Sequence, residues 1–199
     1  MTMSTSILRA IAATGATLAF AAGFTVQAFA SEPLDTEFVD GGEITIQLSA
    51  GEHRITASRD SHIRVSWRLD DNYDDGDVDA RTVINGAEAR LELDGPRKNF
   101  RTVIEVPQNS NLIVRLSAGE LDVEKVTGDK DIRLRAGDLS IEVGDAKDFA
   151  HVEGSLWAGD ISAGPFNIEA EGLFRSIEYV GEGERTLRFH LYAGDVDLY

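Results

Sequence analysis

One phrase recurs five times in this 199-residue chain and limits what it can fold into: apolar, any, apolar, any, Ala, Gly, acidic. The copies close on Ala50-Gly51-Glu52, Ala118-Gly119-Glu120, Ala136-Gly137-Asp138, Ala158-Gly159-Asp160 and Ala193-Gly194-Asp195; the fourth opens on Gly154 instead of an apolar residue. Four copies are followed at once by an aliphatic residue (Leu121, Leu139, Ile161 or Val196), and the first by His53. A unit this short cannot bury its apolar face alone, so the copies must pack on one another.

The flanking residues alternate. Ile44, Ile46 and Leu48 share one parity, as do Ile63, Val65, Trp67 and Leu69, then Ala89, Leu91 and Leu93, then Phe100, Thr102, Ile104 and Val106. Period two over such runs predicts strands with one buried face. No helical period appears after residue 30, and Asp145–Ala150 could form one turn at most. Asn85-Gly86 predicts a hairpin, and Pro107 followed by Gln108-Asn109-Ser110-Asn111 predicts a strand end and turn. Within the repeat, Ile132, Leu134 and Ala136 share a parity with each other, while Leu139, Ile141 and Val143 resume after an odd step. A slip at Gly137 is what a hairpin turn or a sheet corner produces, with Gly taking a positive φ or permitting close approach. Gly51, Gly119, Gly137, Gly159 and Gly194 are therefore expected to be structural turn glycines. Ala before Gly suits a corner too tight for a larger inward side chain. The acid after Gly should face solvent and accept from nearby backbone amides. The glycines are 68, 18, 22 and 35 residues apart. The steps of 18 and 22 suit neighbouring rungs, and the longer ones imply elaborated loops or another pairing. The expected fold is all-β: an irregular β-solenoid or rolled two-layer β-sheet with Ala-Gly-Asp/Glu corners.

Residues 1–30 read as a secretory signal peptide: Arg9 is the one charge, Ala10–Phe24 is apolar, and Ala28-Phe29-Ala30 is a small-any-small cleavage pattern. An uncleaved anchor is the competing expectation, but the segment is rich in Ala, Gly and Thr and weakly hydrophobic for a span. Residues 31–199 would then form a single β-repeat domain, periplasmic or secreted, with no stable membrane insertion after cleavage. There is no Cys, hence no disulfide, thiolate metal site, Cys nucleophile or lipid-attachment cysteine. Lys and Arg number 19 against 35 Asp and Glu, a net charge of −16. Such a chain repels phosphate backbones and anionic membranes, which argues against nucleic acid as a partner.

The residues Ile104-Glu105-Val106-Pro107, Asn111-Leu112-Ile113-Val114-Arg115, the Gly-acidic-aliphatic repeats from Gly119 to Asp160, Gly42–Ile46 and Ala193-Gly194-Asp195-Val196 resemble the bacterial exported β-strand-repeat proteins described as "putative adhesins". The resemblance spans nearly all of the chain after residue 30. It implies an all-β, solenoid-like or rolled-sheet domain in the bacterial envelope, with no enzymatic activity and no catalytic residues.

Other constellations fail on spacing. In the acidic stretch Asp70–Asp79, aligning Gly76 with the EF-hand glycine places Tyr73 at a ligand position and Thr82 where Glu belongs, so a solvated loop is expected. His53, His62, His151 and His190 lack ligand spacing and are expected at the surface or at strand edges. No Gly-x-Ser-x-Gly elbow occurs. The terminal Asp197-Leu198-Tyr199 resembles the end of an outer-membrane barrel, but Asp195 and Asp197 share the parity of Tyr199, which a lipid face forbids. No catalytic residue, metal or cofactor is assigned.

Trp157 and Tyr192 fill the same outward slot of the repeat, a slot held by Arg135 in the third copy and by Ser49 and Ser117 in the first two. These three residues, Trp157, Tyr192 and Arg135, are the candidate binding residues, for an envelope protein or a glycan. The competing expectation is that the rings pack under a loop near Pro165-Phe166. The function expected is an exported envelope protein with a structural or adhesin-like binding role and no catalysis. Two alternatives are a carbohydrate-active solenoid enzyme, marked by carboxylates and an aromatic lining one groove, and a regulatory partner in envelope stress.

Overall fold

The computed structural model describes residues 25–30 (backbone only), 33–69, 72–96 and 98–199. The protein is all-β. Its strands are β1 (Thr25–Ala30), β2 (Leu34–Glu37), β3 (Glu43–Leu48), β4 (Gly51–Ser58), β5 (His62–Arg68), β6 (Asp79–Asn85), β7 (Glu88–Asp94) and β8 (Arg101–Pro107). They continue with β9 (Asn111–Leu116), β10 (Gly119–Glu124), β11 (Lys130–Ala136), β12 (Leu139–Ile141), β13 (Phe149–Ala163), β14 (Ile168–Val180), β15 (Arg185–Ala193) and β16 (Val196–Leu198). Short 3-10 turns at Asp75–Asp77, Ala146–Asp148 and Gly164–Phe166 are the helical elements among the described residues. None is long and apolar enough to cross a membrane, which says nothing of a β-barrel.

The strands follow one path, β1-β6-β7-β3-β9-β11-β15-β13-β16-β12-β10-β4-β8-β5-β2, in a nearly closed, barrel-like sheet. It has two walls. β13 joins them, pairing in parallel with β15 through its first half and with β16 through its second. Wall one stacks β3, β9, β11, β15 and β13 in parallel; wall two stacks β4, β10, β12, β16 and β13 in parallel. Each repeat phrase supplies one layer: a strand in wall one, a corner, and a strand in wall two. The antiparallel β14 runs along the whole of β13 at one end. At the other end β7 and β8 add a layer to β3 and β4, the antiparallel β6 and β5 add another, and β1 and β2 add a third. Residues 1–24 of the expected signal peptide lie outside the described residues. Its last six form β1, paired with β6 from Thr25↔Asn85 to Ala30↔Ala80.

The corners are built by contact between glycines. Gly119, Gly137, Gly194 and Gly159 have φ of +120°, +119°, +134° and +133°, outside the reach of ordinary L residues; Gly51 has no positive φ. A Cβ on Gly119 would lie 1.9 Å from the carbonyl oxygen of Gly51, one on Gly137 1.9 Å from that of Gly119, and one on Gly159 1.9 Å from that of Gly194. The ladder passes through the corner without a break: the amides of Gly51, Gly137 and Gly194 donate to the carbonyls of Ala118, Ala193 and Ala158. The acids cap the next layer. The Asp195 carboxylate accepts from the amide of Asp160 at 3.0 Å, and the Asp138 carboxylate from that of Asp195 at 3.1 Å. The alanines are not core residues: Ala136 is exposed, and the others are half-buried. The buried row ends at Leu134 and resumes at Leu139, because the corner lies where the walls part.

Spatial order departs from chain order. The layer closed by Gly194 lies between those of Gly137 and Gly159, so the 22-residue step does not join neighbours. The 68-residue step does, because Gly51 and Gly119 are directly paired. The strands between them, β5 to β8, stack on the far side of β3 and β4.

Core side chains stand in columns, one residue per layer. Ile46, Val114, Ile132, Phe189 and Gly154 form one in wall one; His53, Leu121, Leu139, Val196 and Ile161 form one in wall two. Among the polar residues that interrupt the apolar columns, Lys130 and His53 carry ionisable groups. Lys130, 4% exposed, lies between Leu112 and Leu187 and donates from Nζ to the Gly128 carbonyl at 2.9 Å. Burial, reinforced by the charge of Arg185, pushes its pKa down to about 8.

His53 corrects the expectation of a surface histidine: it is 2% exposed. Its column position points into the core, and its polarity is met by two partners. Nε2 donates to the Ser49 carbonyl at 3.0 Å, so Nδ1 accepts from the Thr102 hydroxyl at 2.8 Å. Phe100 meets the ring edge-on at 5.8 Å. Burial holds its pKa below the ordinary 6.5. The unfolded chain therefore takes up a proton near pH 6.5 before the folded one does. The stability that His53 contributes is complete above pH 6.5 and falls as pH drops through the folded value. The double change His53→Leu, Thr102→Val should flatten the loss of melting temperature between pH 7 and pH 5 relative to wild type. Equal slopes in thermal melts would show that the ring is protonated without penalty.

Candidate functional site

Wall one presents an aromatic ridge on its outer face. Outward slots alternate with the buried columns, so every second residue of β11, β15 and β13 meets solvent. One outward column runs Arg135, Tyr192, Trp157 and, across the antiparallel pairing, Phe174. Tyr192 and Trp157 stack face to face, centroids 4.7 Å apart and planes 4° from parallel. Phe174 meets Trp157 edge-on at 5.5 Å. The rings are open to solvent: Trp157 is 40% exposed, Tyr192 52% and Phe174 71%, with Leu173 beside them at 57%. Among the described residues no loop covers them. Phe166 packs instead against Phe149 and Tyr179, so the Pro165-Phe166 turn serves another cluster.

Phe174 is a conformational outlier, with φ of +55°. A bulky residue adopts that backbone only where its surroundings impose it, at a cost of about 1–3 kcal/mol. Gly172, φ +103°, and Phe174 turn β14 around the corner opposite Gly159 and keep Phe174 beside Trp157.

The structure therefore places the three sequence-predicted binding residues in one column. It adds Leu173 and Phe174, which a forward reading misses. Their signal is the phrase in reverse: Glu171-Gly172-Leu173-Phe174 mirrors Trp157-Ala158-Gly159-Asp160, as an antiparallel partner must. Arg135 is exposed and makes no ion pair or hydrogen bond among the described residues. The neighbouring cations are engaged: Arg115 with Asp131 at 2.9 Å, Arg133 with Asp131 at 3.6 Å, and Arg188 with Glu153 at 3.8 Å.

The stack takes one face of Trp157 and one of Tyr192, and Phe174 stands edge-on to Trp157, so the ridge offers mostly ring edges. Sugar rings stack on open aromatic faces. An edge-on apolar ridge with the Arg135 guanidinium beside it is chemically complementary to an apolar patch carrying a carboxylate.

In the acidic stretch, the Asp74 carboxylate accepts from the Gly76 amide and that of Asp77 from the Asp74 amide, while Trp67 Nε1 donates to Asp75. These carboxylates hold the loop's own turn; Asp70 and Asp71 lie outside the described residues. Among the described residues no three His, Asp or Glu side chains converge to hold a metal ion.

No family model and no curated protein matches the chain. The structure is similar to that of a "putative cell adhesion protein" from Clostridium sporogenes ATCC 15579, with a TM-score of 0.50 and 12% identity over 84% of this chain and 99% of that one. At that identity the likeness concerns the all-β fold alone.

Proposed function

We propose that this protein is exported to the bacterial envelope and acts there as a non-catalytic, adhesin-like binding domain, an irregular β-solenoid whose aromatic ridge engages an envelope protein. The ridge carries this proposal: three rings and Leu173 stand in solvent beside Arg135, which has no partner among the described residues, and the left-handed backbone at Phe174 keeps its ring beside Trp157. The stacked layers supply a rigid base that fixes the ring spacing. The neighbour's name, a cell adhesion protein, agrees with such a role. Export rests on the charge-poor apolar segment and Ala28-Phe29-Ala30. Cleavage after Ala30 would lift β1 from β6 and leave β6 as the edge of wall one.

Recovery from an envelope fraction tests both parts. The wild-type protein should be retained with a partner at a mass beginning at Ser31. Trp157→Ala should lose that retention, with a stability cost of about 0.5–1.5 kcal/mol, the worth of one aromatic pair. A cost of about 3 kcal/mol or more, without specific loss of retention, would make the ring structural. Full-length protein held in the inner membrane would overturn export and cleavage.

A further inference from the structure

Wall two carries a second surface that the ridge does not explain. An open groove of about 960 Å³ crosses its outer face. It runs over β5, β8, β4, β10 and β12 to Tyr199 beside β16, which at about 4.8 Å per strand is about 24 Å. The floor is one outward column: Ser66, Val103, Arg54, Asp122 and Ser140. Serines at both ends and Val103 between them keep it low, and the Arg54–Asp122 pair, 2.9 Å apart, lies across the middle. Along one side stand Arg68, Arg101, Glu52 and Glu120. Arg101 and Glu52 are paired at 2.6 Å, whereas Arg68 and Glu120 are exposed and have no ion-pair or hydrogen-bond partner among the described residues. Partial burial, with the charges of Asp122, Glu124 and Glu142, pushes the Tyr199 phenol pKa up, which keeps a neutral hydroxyl at the far end.

We infer that this groove binds an extended, uncharged oligosaccharide. Its lining nearly balances in charge, three arginines against four carboxylates, so a charged polymer of either sign meets repulsion along part of it. The floor strands are hydrogen-bonded on both sides, so an added peptide strand finds no free backbone edge. Val103 and Tyr199 are the exposed large apolar side chains of the groove, with the half-buried Trp67 at its β5 end; set this far apart they form no continuous apolar pocket for peptide side chains. What remains is a row of hydroxyls, guanidinium donors and carboxylate acceptors. Vicinal sugar hydroxyls, each both donor and acceptor, match that row. The groove is on the wall opposite the ridge, so its occupancy does not rest on the ridge or on its partner.

Titration calorimetry of the purified protein with maltohexaose, cellohexaose and chitohexaose is the test. At least one should bind, with an affinity little changed between 50 and 500 mM NaCl. Ser140→Trp should weaken it tenfold or more by filling the groove floor. Ser66→Trp, at an exposed position, provides the same test if the first variant melts early. Trp157→Ala should leave the affinity unchanged. No binding by any of the three, equal affinity in both Trp variants, or salt-sensitive binding restricted to polygalacturonate would overturn the inference. Cleavage of a bound hexasaccharide would support the groove and overturn the non-catalytic reading of the protein.

Discussion

Gly137→Ala is expected to destabilise the protein by about 2–6 kcal/mol, a large part of the stability of an ordinary domain. Two costs add. At φ +119° the backbone is one that L residues rarely adopt, worth about 1–3 kcal/mol. The new Cβ would also stand 1.9 Å from the carbonyl oxygen of Gly119, which itself accepts from the amide of Asp138. Relief requires parting two layers, and overpacking of that kind costs about 1–3 kcal/mol. Gly144→Ala is the control, with φ of +72° and nothing within 4 Å of the added methyl, so its cost should stay near 1 kcal/mol. Chemical denaturation of the two variants checks the difference. Equal midpoints would mean that the corner yields without strain.

The second large effect lies at Phe189 and Gly154, neighbours in one core column. A Cβ on Gly154 would lie 2.0 Å from Cζ of Phe189, so the ring fills the space that the glycine leaves. Phe189→Ala should cost about 3–5 kcal/mol through the cavity it opens. Gly154→Ile alone should be comparably damaging, since the ring has nowhere to go. Combined with Phe189→Ile, the same change restores the aliphatic column of Ile46, Val114 and Ile132. The double variant should recover most of the loss, with a coupling of about 1–3 kcal/mol in a double-mutant cycle. Additive losses would show that the two positions do not share one space.

Gly154 also shows why the sequence is only partly legible. As the one copy of the phrase opening on a non-apolar residue it looks like a weak repeat, yet the space it vacates is filled from the adjacent layer by a residue 35 positions later. His53 is similar. Its departure from the aliphatic column is visible in the sequence, but its burial depends on Thr102, 49 residues away, and on the Ser49 carbonyl. Lys130 gives no sequence signal, because a single lysine at a core parity looks like an end of strand. At the ridge, the shared slot of Trp157 and Tyr192 is legible as a repeat position. The contribution of Phe174 is not, since it comes from an antiparallel strand carrying the phrase backwards.

The sequence by itself determined the all-β class and the positions of most strands, and it singled out four glycines whose φ is positive, Gly119, Gly137, Gly159 and Gly194. Each of these follows from local physics: side chains alternate every second residue, and only glycine combines positive φ with close approach. The tertiary structure alone decided which copies are neighbours. The last segment inserts between the third and fourth copies, β5 to β8 extend the stack in the opposite direction, and β14 closes its end. Spacing along the chain cannot show this, because any copy of a phrase this uniform can pair with any other. The choice is made by fit between columns, such as Phe189 over Gly154 and His53 beside Thr102, and those contacts exist only once the layers are stacked.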